Sequence, residues 1–396
     1  MRTPVVLVAG QGDGDAVARR LTWESGTVLV EHRMDGHVVM RSVTSLHGGV
    51  TATASTPLEL AHGCVSCTIR NDLLTLLRML HRRPEVSRIV VRLAPWMEPE
   101  PVCFAINHVR VALGPGPEGT AGRDVVIAGV VTCLRADTWL AQALGDDDLD
   151  DGRTVAQVVV GQAEFADVVV LDFAEPRTLA VLRRLVPRAR ITVGTDRVEM
   201  ALAHLEPDSR RGRCDDPHAP LLAGSPPLET DGRVGLVEFV ARRPFHPQRL
   251  HDAVDLLLTG VVRSKGRLWL ANQPRRVMWL ESAGGGLRVS QAGTWLASMS
   301  ATEVAYVNPE RRAFAGLLWD YHHGDRHSSL VALVCGADRD ELHEGLTGAL
   351  LTDAELARPD RWSGYPDPFG EWHEDPCSGD LEPSDPAGSA GGAEHA

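Results

Sequence analysis

Short β-branched runs spaced by segments of helical periodicity set the strongest constraint on this chain. Val5 to Ala9, Val28 to Val30, Ile89 to Leu93, Val125 to Val131, Val168 to Leu171 and Ile191 to Val193 are apolar with little alternation. Between them lie helical patterns at Asp15 to Leu21, Asn71 to His81, Val102 to Arg110, Thr154 to Phe165 and Arg177 to Leu185. Strands without a polar face must be covered on both sides, and helices between strands do that by crossing over a parallel sheet. The expected fold is α/β, a doubly wound, mostly parallel sheet.

The pattern changes after residue 205. Residues 206–232 are rich in Pro, Gly and Arg and are expected to be a linker. Residues 233–358 read as a smaller α+β domain, with strands at Val234 to Val240, Val261 to Leu270, Arg276 to Leu280, Leu287 to Ser290 and Leu330 to Val334 and a closing helix at Asp338 to Leu350. From 359 to 396 periodicity ends, and an acidic disordered tail is expected. Residues 371–396 hold seven carboxylates and no Lys or Arg, about half of the net charge of -13.

That acidic balance argues against indiscriminate nucleic-acid binding, although arginine-rich patches could meet phosphate locally, and no sequence-specific nucleic-acid partner is expected. No stretch of about 18 apolar residues is present, so no membrane partner is expected. Seven scattered cysteines do not make a secreted disulfide framework, and a reduced, cytoplasmic setting is expected.

After the first strand comes Gly10-Gln11-Gly12-Asp13-Gly14-Asp15, where a phosphate loop would open a helix. A working loop of that kind ends in Gly-Lys-Ser/Thr, and the chain has one lysine in all, Lys265. Asp13 and Asp15 stand where their carboxylates can take the free helical N–H groups. A phosphate 4 Å from such a carboxylate meets roughly 1 kcal/mol of repulsion in water and about 4 kcal/mol at a surface-like dielectric. Gly10, Gly12 and Gly14 therefore read as a degenerate phosphate loop, and GTP binding as doubtful.

The second chemical signal is Cys64-Val65-Ser66-Cys67, just before a helix-periodic run. Metal binding, a redox pair and plain structural thiols are the three readings, with metal binding favoured. Two thiolates supply half of a tetrahedral zinc site, and Glu59 and His62 lie close enough in sequence to complete it. A helix N-terminus near Thr68 would favour the Cys67 thiolate. In the second domain Arg243, Arg263, Lys265 and Arg267 concentrate positive charge. They are expected to contact a phosphate backbone or an acidic partner, unless they form a solvated sheet face.

Several segments together resemble the CobW-type metallochaperone GTPases. Gly63-Cys64-Val65-Ser66-Cys67-Thr68-Ile69-Arg70-Asn71-Asp72-Leu73 is similar to that family's Gly-Cys-x-Cys-Cys metal motif, with Ser66 in place of the middle cysteine. Arg243-Pro244-Phe245-His246, Arg263-Ser264-Lys265-Gly266-Arg267-Leu268-Trp269 and Gly324-Asp325-Arg326 resemble its C-terminal signatures. The resemblance implies a P-loop NTPase type of first domain and zinc as the metal. The family's Glu-Thr-Thr-Gly element falls on Arg92-Leu93-Ala94-Pro95, and its Asn-Lys-x-Asp element on Asp172-Phe173-Ala174-Glu175, so both nucleotide elements are degraded.

Met1-Arg2-Thr3-Pro4, Val30-Glu31-His32-Arg33 and Leu93-Ala94-Pro95-Trp96 further resemble a ribosome-hibernation-factor recruiting branch of actinobacteria. That branch implies a zinc-responsive, non-hydrolysing adaptor that brings a hibernation-promoting factor to the ribosome or its small subunit when zinc is scarce. The alternative is a GTP-dependent zinc metallochaperone, with GTP hydrolysis as its activity.

Overall fold

The computed structural model describes residues 1–47, 50–60, 65–113 and 118–369. The first domain contains strands β1 (Thr3–Ala9), β2 (Thr27–Asp35), β3 (Val38–His47), β4 (Val50–Leu58), β5 (Arg88–Arg92), β6 (Arg110–Val111), β7 (Gly119–Thr120), β8 (Val125–Leu134), β9 (Val168–Leu171) and β10 (Arg190–Val193). The main sheet runs β10-β9-β8-β1-β5-β2-β3-β4, and β6 pairs with β7 apart from it. Pairing is parallel from β10 to β2.

The central strand shows why these residues make a doubly wound sheet. Val5, Leu7 and Ala9 of β1 pack on one face against Leu73, Leu77 and Ile106, from helices Val65–His81 and Pro99–His108. Val6 and Val8 pack on the other against Val17, Leu21 and Val198, from helices Gly14–Leu21 and Val198–Ala203. Each strand residue finds a helix on its own side, so no polar position is needed.

The parallel sheet is extended at one edge by an antiparallel unit, β2-β3-β4, that the apolar-run pattern does not reveal. β3 and β4 carry Ser and Thr at alternate positions, with Thr44 bonded to Thr53 at 3.0 Å, so they lack the continuous apolar signature. The available signal was Asp35-Gly36 between two β-rich runs. Asp35 pairs with Val38 across a two-residue loop in which Gly36 has φ +61°, the geometry such a tight hairpin needs.

The second domain is an antiparallel sheet of β11 (Val234–Ala241), β12 (Val261–Leu268), β13 (Arg276–Ala283), β14 (Gly286–Thr294) and β15 (Ser328–Cys335), ordered β11-β15-β12-β13-β14. Leu250, from helix Pro247–Asp252, and Leu342 and Leu346, from helix Arg339–Gly348, cover it. Helices Ala301–Tyr306 and Pro309–Leu317, which the sequence reading left unassigned, lie between β14 and β15 and bury little of their own surface.

Two boundary expectations need correction. The 206–232 segment is not a free linker: Ser209 is buried, and Gly212, at φ +74°, packs closely enough that a Cβ would lie 3.0 Å from the sulfur of Cys103. The expected disordered tail does not hold for its first residues, because Pro359–Gly364 forms a 3-10 helix whose Trp362 is buried against Trp269. Residues 370–396 lie outside the described residues. The domains also share a core, in which Val160, Leu171, Val181 and Leu182 of the first meet Val234, Val262 and Leu333 of the second. No described helix is long and apolar enough to cross a membrane.

Candidate nucleotide loop and metal loop

The loop Gly10–Gly14 leaves the carboxyl end of β1 and enters helix Gly14–Leu21, the position expected of a phosphate cradle. Its glycines are required by close approach. Gly10 has φ +97°, and a Cβ on Gly12 would sit 2.7 Å from the backbone of Cys133 and Leu134. Gly12 N–H donates to the carbonyl of Cys133 at 2.8 Å, which pins the loop to β8. The Cys133 thiol beneath is pushed up to about 12 by burial, so it is a neutral packing group.

The chain fills this cradle itself. Asp13 accepts from Ala16 N–H at 2.9 Å and so caps the helix where an anion would bind. Asp15, expected to share that role, instead faces Arg92 at 3.3 Å. The Arg92 guanidinium donates to the Leu93 carbonyl at 2.7 Å and to those of Val8 and Gly10 at 3.4 Å. Gly14 makes room for it, since a Cβ there would lie 2.5 Å from the guanidinium. Gln11 ties the loop to the segment after β5 by donating to the Pro95 carbonyl.

The segment aligned with the base-reading element is also committed. Asp172 accepts from Ala136 and Phe173 N–H at 2.9 and 3.0 Å. Glu175 caps helix Pro176–Leu185 through Arg177 and Thr178 N–H, bonds that hold its carboxyl below its ordinary range. Asp172 is exposed and uses one carboxylate oxygen for both bonds, whereas both oxygens of Glu175 are taken by the helix start. The sequence showed the missing residues; that substitutes occupy their places is visible only in the fold.

The metal loop is only partly described, because His62 and Cys64 lie outside the described residues. Cys67 is half-buried in the first turn of helix Val65–His81, and Arg70 donates to its sulfur at 3.8 Å. The helix N-terminus and Arg70 together place positive potential at that sulfur. Glu59 is exposed just past β4. Among the described residues no group of three His, Cys, Asp or Glu side chains converges into a metal site. What the sequence reading missed is the support behind the loop: Asp72, on the Cys67 helix, accepts from Arg41 at 2.7 Å and bonds buried His32 at 2.8 Å. This ties the helix to β2 and β3.

The second-domain cations do not form the expected contact surface. Arg263 bridges Glu164 and Glu281 at 2.8 and 2.6 Å, and Lys265 bonds Glu164 at 2.7 Å across the domain junction. Arg267 is 3% exposed and donates to the carbonyls of Pro217 and Ala219 in the 206–232 segment. Arg243 pairs with Asp353 at 2.6 Å. Alternation along β12 could not tell Arg263 and Lys265 from surface charges, because Glu164, which pairs with both, comes from a distant part of the chain.

Family models match the CobW/HypB/UreG nucleotide-binding domain over residues 30–186 and the cobalamin synthesis protein CobW C-terminal domain over residues 234–350. A Mycobacterium tuberculosis protein named as a zinc chaperone is 65% identical over 378 residues, covering 95% of both chains. A zinc-regulated GTPase metalloprotein activator of Dictyostelium discoideum is 26% identical, covering 79% of this chain and 70% of that one. Among solved structures, the Zn(II)-bound YjiA GTPase of E. coli matches 89% of this chain and 100% of its own, at 15% identity and a TM-score of 0.39.

Proposed function

Because the chain belongs to the CobW-type family, with a CobW/HypB/UreG nucleotide-binding domain followed by a CobW C-terminal domain, we propose that it is a zinc-handling protein of the metallochaperone type that works without GTP turnover. The observation that carries the second half is Asp13, which already takes the Ala16 N–H at the helix start, while the one lysine of the chain is bonded to Glu164 at the domain junction. The zinc half is supported by the names of the relatives and by the donor chemistry of the metal loop. Thiolate and imidazole are the ligands zinc prefers, and Cys64, Cys67, His62 and Glu59 are the residues proposed to hold it as cargo. A site with so few local thiolates suits reversible binding in the cytoplasm better than storage.

The finer form of this proposal is the recruitment of a hibernation-promoting factor to the ribosome under zinc limitation. Its support is the sequence resemblance at residues 1–4, 30–33 and 93–96. GTP-dependent delivery is the competing form, favoured by the naming of the Dictyostelium relative as a GTPase.

Two measurements on the full chain test the proposal. Zinc titration should show stoichiometric binding that disappears in the Cys64→Ser/Cys67→Ser double variant while the circular dichroism spectrum is retained; unchanged zinc content would remove these cysteines from the site. Calorimetry with GTP and magnesium should give no saturable heat, and micromolar affinity would return the GTP-dependent reading to first place.

A further inference from the structure

A cavity of about 60 Å³ lies between the domains, roomy enough for roughly four waters or one tetrahedral oxyanion. Its lining includes Ala166 and Ala189, which precede β9 and β10, so it sits at the amino end of those strands, across the sheet from Gly10–Gly14. All three parts of the chain contribute: Glu164, Arg184 and Arg188 from the first domain, Arg210 and Asp215 from the connecting segment, and Lys265 from the second domain. Cations outnumber carboxylates in that lining.

The excess is concentrated in two arginines. Glu164 is satisfied by Arg263 and Lys265, and Arg210 by Asp215 at 2.7 Å. Arg184 is only 7% exposed and gives its two terminal nitrogens to the carbonyls of Ala180 and Glu229, at 2.7 and 2.6 Å. It makes no ion pair among the described residues, and its buried Nε has no partner there. Arg188 reaches Asp208 through its Nε at 3.7 Å, too far for a hydrogen bond, and makes no closer ion pair among the described residues. A buried guanidinium without a countercharge is unfavourable unless an anion comes to it.

We propose that this cavity binds a tetrahedral oxyanion, phosphate or the phosphate group of a small molecule, clamped between the domains by Arg184 and Arg188, with Lys265, bonded to Glu164 at 2.7 Å and 3.8 Å from Asp215, at its second-domain wall. Arginine and lysine are the residues suited to that geometry and charge. An anion that bridges all three parts of the chain would stabilise their arrangement by mass action. The site is separate from the metal loop and from the nucleotide loop, and it holds whether or not zinc binds.

The test is titration of inorganic phosphate into the full chain by calorimetry, at constant ionic strength in chloride. Saturable binding at one site is expected, with a melting temperature that rises with phosphate and not with added chloride. Arg188→Gln, at the more open wall, should weaken binding about tenfold, as the loss of one charge-assisted hydrogen bond implies. Arg184→Met should abolish it; if that variant does not fold, Arg188→Gln decides alone. A parallel titration with a phosphomonoester separates the two sources: tighter binding of the ester identifies the group of a larger molecule, and tighter binding of phosphate identifies the free ion. Absence of saturable binding, or affinity unchanged in Arg188→Gln, overturns the proposal.

Discussion

Replacing Glu164 with Gln is expected to cost about 3–5 kcal/mol of stability, the range for removing one member of a buried ion-pair group. The side chain is nearly buried and stands at the end of helix Val155–Glu164, with Arg263 at 2.8 Å and Lys265 at 2.7 Å reaching it from the second domain. A neutral amide leaves Lys265 with only the longer pair to Asp215, at 3.8 Å, while Arg263 keeps Glu281 at 2.6 Å. Burial by itself pushes the Glu164 carboxyl up, but Arg263, Lys265 and Arg210 together more than offset it and hold the group well below the usual carboxylate range. The sign of the pH dependence follows. A depressed folded value contributes stability that is fully present above the unfolded value, about 4.3, and is lost as pH falls from there toward the folded value. Urea unfolding of the parent should therefore show a midpoint that drops below about pH 4.3, and the Gln variant should lack that component of the drop. A Gln variant as stable as the parent at pH 7 would show that the junction does not depend on this charge.

Arg92→Ala is the second large effect. The guanidinium makes a 2.7 Å bond to the Leu93 carbonyl, longer ones to Val8 and Gly10, and an ion pair with Asp15. Loss of charge-assisted bonds of this kind costs about 2 kcal/mol, because water entering the vacated space beside Gly14 restores part of the bonding. The carboxylate left behind is half-exposed and hydrates readily, so the cost stays below that at Glu164. The functional outcome separates two causes. With Arg92 removed, Asp13 still caps the helix and no lysine is near, so GTP titration should remain flat. Saturable GTP binding by Arg92→Ala would mean that Arg92 alone kept nucleotide out. A thermal melt together with calorimetry reads both outcomes from one preparation.

The sites differ in how much of them could be read before the fold was known. The degenerate loop was legible because it rests on residue types at fixed spacing: glycines after a strand, no lysine, carboxylates at the helix start. Asp13 performs the capping expected of it. Asp15 does not, because Arg92 arrives from β5, 77 residues away in sequence, and spacing rules contain no information about that encounter. The basic residues of β12 failed as a predicted surface for the same reason. Arg263 and Lys265 look solvated along the strand and are paired across the junction once helix Val155–Glu164 is packed against it.

By itself the sequence determined the α/β class, the order of the parallel strands' helices, the place of the loop after β1 and the family. These depend on local periodicity and short motifs, whose energetics involve residues a few positions apart. Only the tertiary structure decided that the two domains share a core cluster, that the 206–232 segment is built into the junction, and that the Arg92 guanidinium bonds the carbonyls beside the nucleotide loop. It also showed the arginine-rich cavity at the amino end of β9 and β10. Each of these is a long-range contact, between aliphatic side chains in the shared core and between charged or small residues elsewhere. The preference of the charged ones for burial appears only when a partner from elsewhere in the chain removes the cost of desolvation.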